Sequence, residues 1–528
     1  MNPNSSNSET ATSKIDSPYI AIFVLTLATF MSVLDSTVAN VSLPKMAGDL
    51  SSTPTEIVWV LSSYIVATAA ILPISGWLAT YFGRKNYYMA SVFGFTVASV
   101  LCGLATSLES LVFFRILQGL SAGGIAPSEQ AIIADITPQD KLGRAFSIYG
   151  LGVSIAPVLG PTLGGFITDT FSWHWIFFIN LPIGAVSLIL TALFVKESKQ
   201  AEKSTKEFRK DGKTVDWVGI LLFVTGIAAL ELLLSEGPKD GWFESDFILL
   251  VFAYCVVALL IGITWEYYQK KPSVDIFMFK DGGFTGACVL IFTVSLVISG
   301  VGFLIPFFTQ TLLGYTAMQS GMIGLPGTIC QLITIQIIGY ASDKTDIRRI
   351  IFIGLVLTTL SVWNFSTFNL NSGYNDLVWT RTYFAISIAF LAATVNTVAY
   401  YGITPDKNNS ASGLLNLART MGSSFGIALT STIIATQSQI HTGNLSNHAN
   451  VFNPNYTETI GNLSQTFQNQ GLNATESIGA SQGVIWNEIL RQATMNSILD
   501  AINVYIILHL CVIPLVFLLK RKKSAESQ

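Results

Sequence analysis

The chain predicts an all-α polytopic membrane protein, built as two six-helix pseudo-symmetric halves with two further transmembrane helices inserted between them. Three observations carry that prediction. Hydrophobic residues make up 51% of the 528 and charged residues only 12%, roughly half the charged share of a soluble domain. Apolar runs of about 20 residues, each long enough to cross ~30 Å of hydrocarbon as a helix, recur from Tyr19 to Leu519. Finally, two glycine-bearing helix ends, one in each half of the chain, run into similar basic turns.

The runs fall at 19–41, 57–80, 87–106, 110–133, 143–168, 174–195, 215–235, 246–268, 284–306, 319–341, 349–368, 377–400, 410–436 and 499–519. That is fourteen spans, mostly joined by short connections that suit antiparallel neighbours in a bundle. With the N-terminus inside, the inside segments hold Lys14, Arg84, Lys85, Lys141, Arg144, the basic linker 196–214, Lys270, Lys271, Lys280, Lys344, Arg348, Arg349, Lys407 and the tail 520–528. The outside segments hold only Lys45, Lys239 and Arg491. The positive-inside rule therefore places both termini in the cytoplasm. Residues 1–18, rich in Asn, Ser and Thr, read as a disordered cytoplasmic tail without a cleavable signal.

The halves are 19–195 and 284–519, with the inserted pair at 215–268. Gly76 to Lys85 closes the second span, and Gly339 to Arg349 closes the tenth in the same manner. Arg115 opens the fourth span and Arg381 the twelfth. Repeats of this kind belong to secondary transporters, whose substrate site lies near the midplane between halves. One stretch breaks the short-loop pattern: 437–498, rich in Asn, Gln, Ser, Thr and Gly, reads as a long outer loop. A loop of that length is functional or disordered. Its Asn-x-Ser/Thr triplets at Asn444, Asn455, Asn462 and Asn473 follow from composition.

Charges inside apolar runs are the informative residues, because each costs about 2.5–3.5 kcal/mol at a helix centre. Asp35 lies deep in the first span, beside Ser36, Thr37 and Asn40. A carboxyl facing a partly dry cavity can exchange a proton near neutral pH; the alternative is a carboxylate held by that polar cluster. Arg115 never loses its proton and needs carbonyl or carboxylate partners. It reads either as a fixed charge biasing a nearby carboxyl or as a brace between helices. Arg419 poses the same choice, Glu129 is a second carboxyl for protonation or cavity lining, and Glu231, near a span end, reads as snorkelling outward.

The fifth span carries Gly152, Ala156, Gly160 and Gly164 at four-residue spacing, with Pro157 and Pro161 between them. Small residues at that spacing let helices approach closely, and the prolines soften the helix. Tight packing and a pliable seal between halves demand the same residues. The five cysteines lie in apolar runs, and His174, His441, His448 and His509 form no ligand cluster. No phosphate-cradling glycine loop occurs, which leaves an ion gradient rather than ATP as the energy source.

Taken together, Leu34 to Asn40, Gly76 to Lys85, Arg115 to Gly119, Gly152 to Gly165, Trp175 to Gly184 and Asn416 to Gly422 resemble the major facilitator superfamily. The likeness is to its fourteen-helix drug:proton antiporters and covers nearly the whole chain. It implies export of hydrophobic or amphipathic small molecules in exchange for protons, with no cofactor and no enzymatic activity. Asp35 would belong to the proton-coupling motif and Arg115 to its charged partner. Gly152 to Gly164, with Pro157 and Pro161, would be the antiporter signature, and Gly76, Gly83, Arg84 and Lys85 the gating loop. The resemblance further implies a bacterial inner membrane, a periplasmic adaptor and an outer-membrane channel, with 437–498 as docking segment. One departure is Thr80, where the family motif often has Asp; the second half keeps an acid there, Asp343. The competing readings are a metabolite or nutrient permease on the same scaffold and a non-transporting receptor. Buried Asp35 and Arg115 argue against the receptor.

Overall fold

A chain that crosses hydrocarbon must satisfy its backbone internally, and helices do so within each segment. The computed structural model describes residues 18–195, 197, 199–210, 216–269 and 272–519, and no strand occurs among them. The tail 1–18 apart from Pro18, the tail 520–528, and Lys14, Lys196, Lys213, Lys270 and Lys271 lie outside the described residues. The first half comprises α1 (Pro18–Asp49), α2 (Trp59–Phe82), α3 (Arg84–Gly103), α4 (Leu108–Ala122), α5 (Ile125–Ile136), α6 (Leu142–Thr170) and α7 (Asn180–Phe194). A surface helix, α8 (Lys199–Lys210), occupies most of the expected linker, and α9 (Trp217–Glu236) and α10 (Asp246–Tyr268) follow it. The second half comprises α11 (Gly282–Phe307), α12 (Ala317–Lys344), α13 (Ile347–Phe365), α14 (Tyr374–Ala399), α15 (Asn408–Ser446), α16 (Pro454–Asn469) and α17 (Ala474–Val512).

Among the described residues, eleven helical segments are long and apolar enough to cross a membrane. The expected spans at 87–106, 110–133 and 410–436 are not among them. The second of these is broken at Gly123–Gly124 into α4 and α5. There the chain presses on α2: a Cβ on Gly123 would lie 2.6 Å from the Thr68 carbonyl. The other two, α3 and α15, open on polar first turns, Arg84 to Tyr88 in one and Asn408 to Ser412 in the other.

The expected outer loop is a correction. Within 437–498, α15 continues to Ser446, α16 fills Pro454–Asn469 and α17 starts at Ala474. The asparagines that read as loop composition act as caps. Asn473 accepts from the Glu476 amide at 2.9 Å while Glu476 accepts from the Asn473 amide at 3.2 Å, a capping box. Asn453 accepts from the Asn455 amide at 3.1 Å, with Pro454 at the first helical position.

The halves meet along α2 against α15 and α6 against α12. Their bonds cluster toward the end that carries Arg84 and Lys407. Gly76 lies under the α15 backbone, where an added Cβ would sit 2.8 Å from the Asn409 carbonyl oxygen. Asn409 donates to Thr80 Oγ1 at 3.0 Å and Asn408 to Asp135 at 2.8 Å. From α12, Gln336 donates to the Ser147 carbonyl at 3.2 Å and Gln331 to Ser154 Oγ at 3.3 Å, while Arg144 lies 3.7 Å from Asp343.

Candidate functional site

Asp35 sits midway along α1 and is 2% exposed. A carboxylate removed from water needs donors on both oxygens, and three side chains from two neighbouring helices supply them. Arg115 of α4 donates through Nη1 to Oδ2 at 2.6 Å, Gln118 reaches Oδ1 at 3.0 Å, and Asn180 of α7 reaches Oδ1 at 2.6 Å. Arg115 is itself fully buried. Its Nε donates to the Val60 carbonyl at 2.9 Å, Nη1 also meets Gln118 Oε1 at 2.8 Å, and the guanidinium lies 4.2 Å from the Tyr64 ring centre. Asn180 is tied in turn to Ser99 Oγ at 2.9 Å. Every partner of Asp35 thus belongs to the first half.

Asn40 is not part of this cluster; it is exposed. Ser36 and Thr37 return their hydroxyls to α1 carbonyls, at Val33 and at Leu34, both 2.9 Å away. The polar neighbours along one helix look sufficient in sequence, yet only partners from α4 and α7 reach the carboxylate. Gln118 and Asn180 were not singled out, although both fall in stretches that carry the family likeness.

Six residues earlier on α1, roughly 9 Å along its axis, Thr29 donates to the fully buried Glu129 of α5. The adjacent Gln130 opens a polar chain that crosses between halves. It donates to Tyr149 at 3.0 Å and accepts from Asn416 of α15 at 2.9 Å. Asn416 accepts from Arg419 at 2.9 Å, and Arg419 also donates to Asn396 of α14. The structure therefore places Arg419 in the inter-half network, whereas Glu129, beside Gln130 in the chain, bonds only Thr29 of α1. Glu231 does not snorkel: it is 2% exposed on α9 and accepts from Ser424 of α15.

The glycine stripe of α6 faces α1. A Cβ on Gly152 would lie 2.2 Å from Thr26 Cγ2, one on Gly160 2.2 Å from Thr37 Oγ1, and one on Gly164 3.1 Å from Val38. The stripe thus packs within its own half, while Gly143, Ser147, Gly150 and Ser154 turn toward α12. Pro157 and Pro161 leave α6 unbroken. In the basic turn, Gly83 adopts φ +92° and Arg84 pairs with Asp135, while the Arg84 amide donates to Glu197 at 2.7 Å. Lys85 lies aside, donating to the Ala192 carbonyl at 3.1 Å. Asp135 and Glu197, carboxylates at helix ends, gave no signal in sequence because such positions usually face water.

Two helical halves bonded at one end, with a buried ion pair inside the first and a polar network between them, define a multi-pass membrane transporter rather than an enzyme. The family model described as Major Facilitator Superfamily matches residues 25–427. The chain is 33% identical over 482 residues to "Multidrug export protein EmrB" of Escherichia coli (strain K12), covering 88% of this chain and 93% of that protein. It is 32% identical to "Fatty acid resistance protein FarB" of Neisseria gonorrhoeae, covering 94% and 95%. Among solved structures, the proton:xylose symporter XylE superposes with a TM-score of 0.58 at 15% identity, covering 81% of this chain and 91% of that one. The chain belongs to the major facilitator superfamily, among its EmrB-type proteins.

Proposed function

We propose that the protein exports hydrophobic and amphipathic small molecules across a bacterial inner membrane in exchange for protons, through fourteen spans with both termini cytoplasmic. The buried Asp35–Arg115 pair carries this reading. Deprotonated, Asp35 draws the donors of α4 and α7 onto α1. Protonated, it loses the Coulomb attraction to Arg115 and one of its acceptor sites, so α1 is freed to shift. Breaking a buried pair in this way is worth about 3–5 kcal/mol, enough to bias two conformations strongly. Glu129, bonded to Thr29 on the same helix, is the second carboxyl of the path.

Substrate binds in the cleft between halves, where the Gln130–Asn416–Arg419 network crosses. A multidrug export protein and a fatty acid resistance protein among the relatives support amphipathic small-molecule cargo. The capped helices within 437–498 are the proposed dock for a periplasmic adaptor, which would hand substrate to an outer-membrane channel.

The test is resistance in a host stripped of its own pumps. Asp35→Asn abolishes resistance to a panel of lipophilic toxins while membrane levels of the protein stay normal. Full resistance in that variant removes Asp35 from the mechanism. Uptake of one labelled nutrient with no drug phenotype would favour the permease reading instead. Excising 450–472 should end co-purification with the adaptor and leave vesicle transport intact; persistent co-purification places the dock elsewhere.

A further inference from the structure

Around Arg84 the halves bond to each other directly. Toward the opposite end α9 bridges them, lying over the seam where α2 meets α15. Ala69 of α2, Ile227 of α9 and Met421 of α15 form one buried apolar cluster there. On the first half, Ser62 of α2 donates to Glu236 at 3.2 Å, and its hydroxyl lies 3.0 Å from that of Ser235. On the second half, Trp242, just beyond α9, donates through Nε1 to Thr432 of α15 at 2.9 Å, and Ser424 donates to Glu231. Ser424 stands about 24 Å along α15 from Asn408, so this strap is remote from the bonds around Arg84.

One member of the strap is a carboxyl with almost nothing to hold its charge. Glu231 is 2% exposed, a single hydroxyl reaches its Oε1, and its buried Oε2 has no hydrogen-bond partner. No cation faces it among the described residues. α2 has no charged residue, and its Tyr64 is turned to Arg115. α11, which adds Phe292 to the cluster, has no charged residue either. The acids of α10, Asp246 and Glu266, stand at its two ends, and its Tyr254 bonds Thr225. On α15, Arg419 is spent on Asn416 and Asn396, and His441 is paired with Asp500. On the Glu231 side of the turn, Lys239 is paired with Glu236.

An ionised carboxylate with one donor and no counter-charge is far costlier to bury than the neutral acid. The packed strap therefore suits the protonated side chain, whereas an ionised one gains by leaving α15 for water. We infer that Glu231 is a proton-operated latch on α9. Protonated, it lets α9 lie on α15 and tie the halves across the seam. Ionised, it frees α9 from the second half while Ser62 keeps it on the first. The step moves one proton between the carboxyl and water and breaks the hydrogen bond from Ser424. The strap is in place in the arrangement bonded around Arg84, so a proton on Glu231 favours that arrangement. The latch requires no particular substrate, and its failure leaves the Asp35 reading as it stands.

The test is a distance. The full-length protein in phosphatidylcholine nanodiscs carries spin labels on Asp240→Cys, beside the strap, and on Thr436→Cys of α15, both exposed positions, with the native cysteines replaced by serine. Double electron–electron resonance follows their separation from about pH 5 to about pH 9. Wild type shows one short distance in acid and a several-fold larger long-distance population in base. Glu231→Gln, which keeps the size and neutrality of the acid, holds the short distance throughout. Ser424→Ala, which removes the donor across the seam, raises the long-distance population already in acid. The response survives in Asp35→Asn, which separates it from the ion pair in the first half. A wild-type distance indifferent to pH, a response that persists in Glu231→Gln, or one that vanishes in Asp35→Asn overturns the latch. So does a Ser424→Ala distribution equal to that of wild type.

Discussion

Replacing Asp35 by Asn keeps the shape of the site and removes its charge, which makes the cost calculable. The carboxylate accepts three bonds, from Arg115 at 2.6 Å, Gln118 at 3.0 Å and Asn180 at 2.6 Å. An amide offers one oxygen and turns its NH2 toward a donor, either the guanidinium or the two side-chain amides. With the NH2 toward the guanidinium, Arg115 keeps only the Val60 carbonyl and Gln118 Oε1, and in either orientation it has no counter-charge. Removing one partner of a buried ion pair costs about 3–5 kcal/mol. Adding Arg115→Gln removes the orphaned charge, so the double variant should recover about 1–3 kcal/mol of that loss. Unfolding in mixed micelles, followed by tryptophan fluorescence, measures all four corners of the cycle. Transport driven by a pH gradient should be absent in both Asp35 variants, including the more stable one. Additive destabilisation, or a single variant as stable as wild type, would refute a coupled buried pair.

Gly160→Ala places a Cβ 2.2 Å from Thr37 Oγ1, whereas the neighbouring Gly165 meets nothing within 4 Å; the first should lose about 1–3 kcal/mol and Gly165→Ala nearly nothing in the same unfolding assay. Gly76→Ala meets the Asn409–Ser410 backbone, which cannot rotate aside. It should hold the Arg84 end open, seen as several-fold faster maleimide labelling of Ser412→Cys with Cys330 and Cys511 replaced by serine; an unchanged rate refutes this. Asp135→Asn removes the ion-pair partner of Arg84, which keeps only the Pro405 carbonyl for its guanidinium, and weakens the bond from Asn408, so the same labelling should rise there too.

The all-helical, multi-span fold was legible because the bilayer reduces the problem largely to run length. The long apolar helices and the buried Asp35 and Arg115 stand out against an apolar background. Legibility stopped where a residue's partner lies on another helix. Asn40 looked nearer to Asp35 than Asn180 did, since sequence distance is all that a single helix offers. Glu231 looked able to reach water until α15 covered it. The helices within 437–498 were missed for a different reason: asparagine favours loops by composition but caps helices by position, and only the following Glu476 and preceding Pro454 distinguish the two.

The separation of Asp35 from the second half constrains how any proton it takes can act. None of its donors belongs to α11–α17, so protonation cannot break an inter-half bond directly. Two routes lead outward, and both start on α1. Through Thr29 the helix touches Glu129, whose neighbour Gln130 is hydrogen-bonded to Asn416 across the cleft. Through Thr26, Thr37 and Val38 it bears on the glycine face of α6, whose other face is tied to α12 by Gln331 and Gln336. A shift of α1 that kept its contact with α6 must therefore carry α6 along against α12. Bare glycines suit that task, since backbone-to-side-chain contact transmits displacement with little slack. Under the proposed proton exchange, the stripe would be the mechanical link between a charge change in one half and the contact between both.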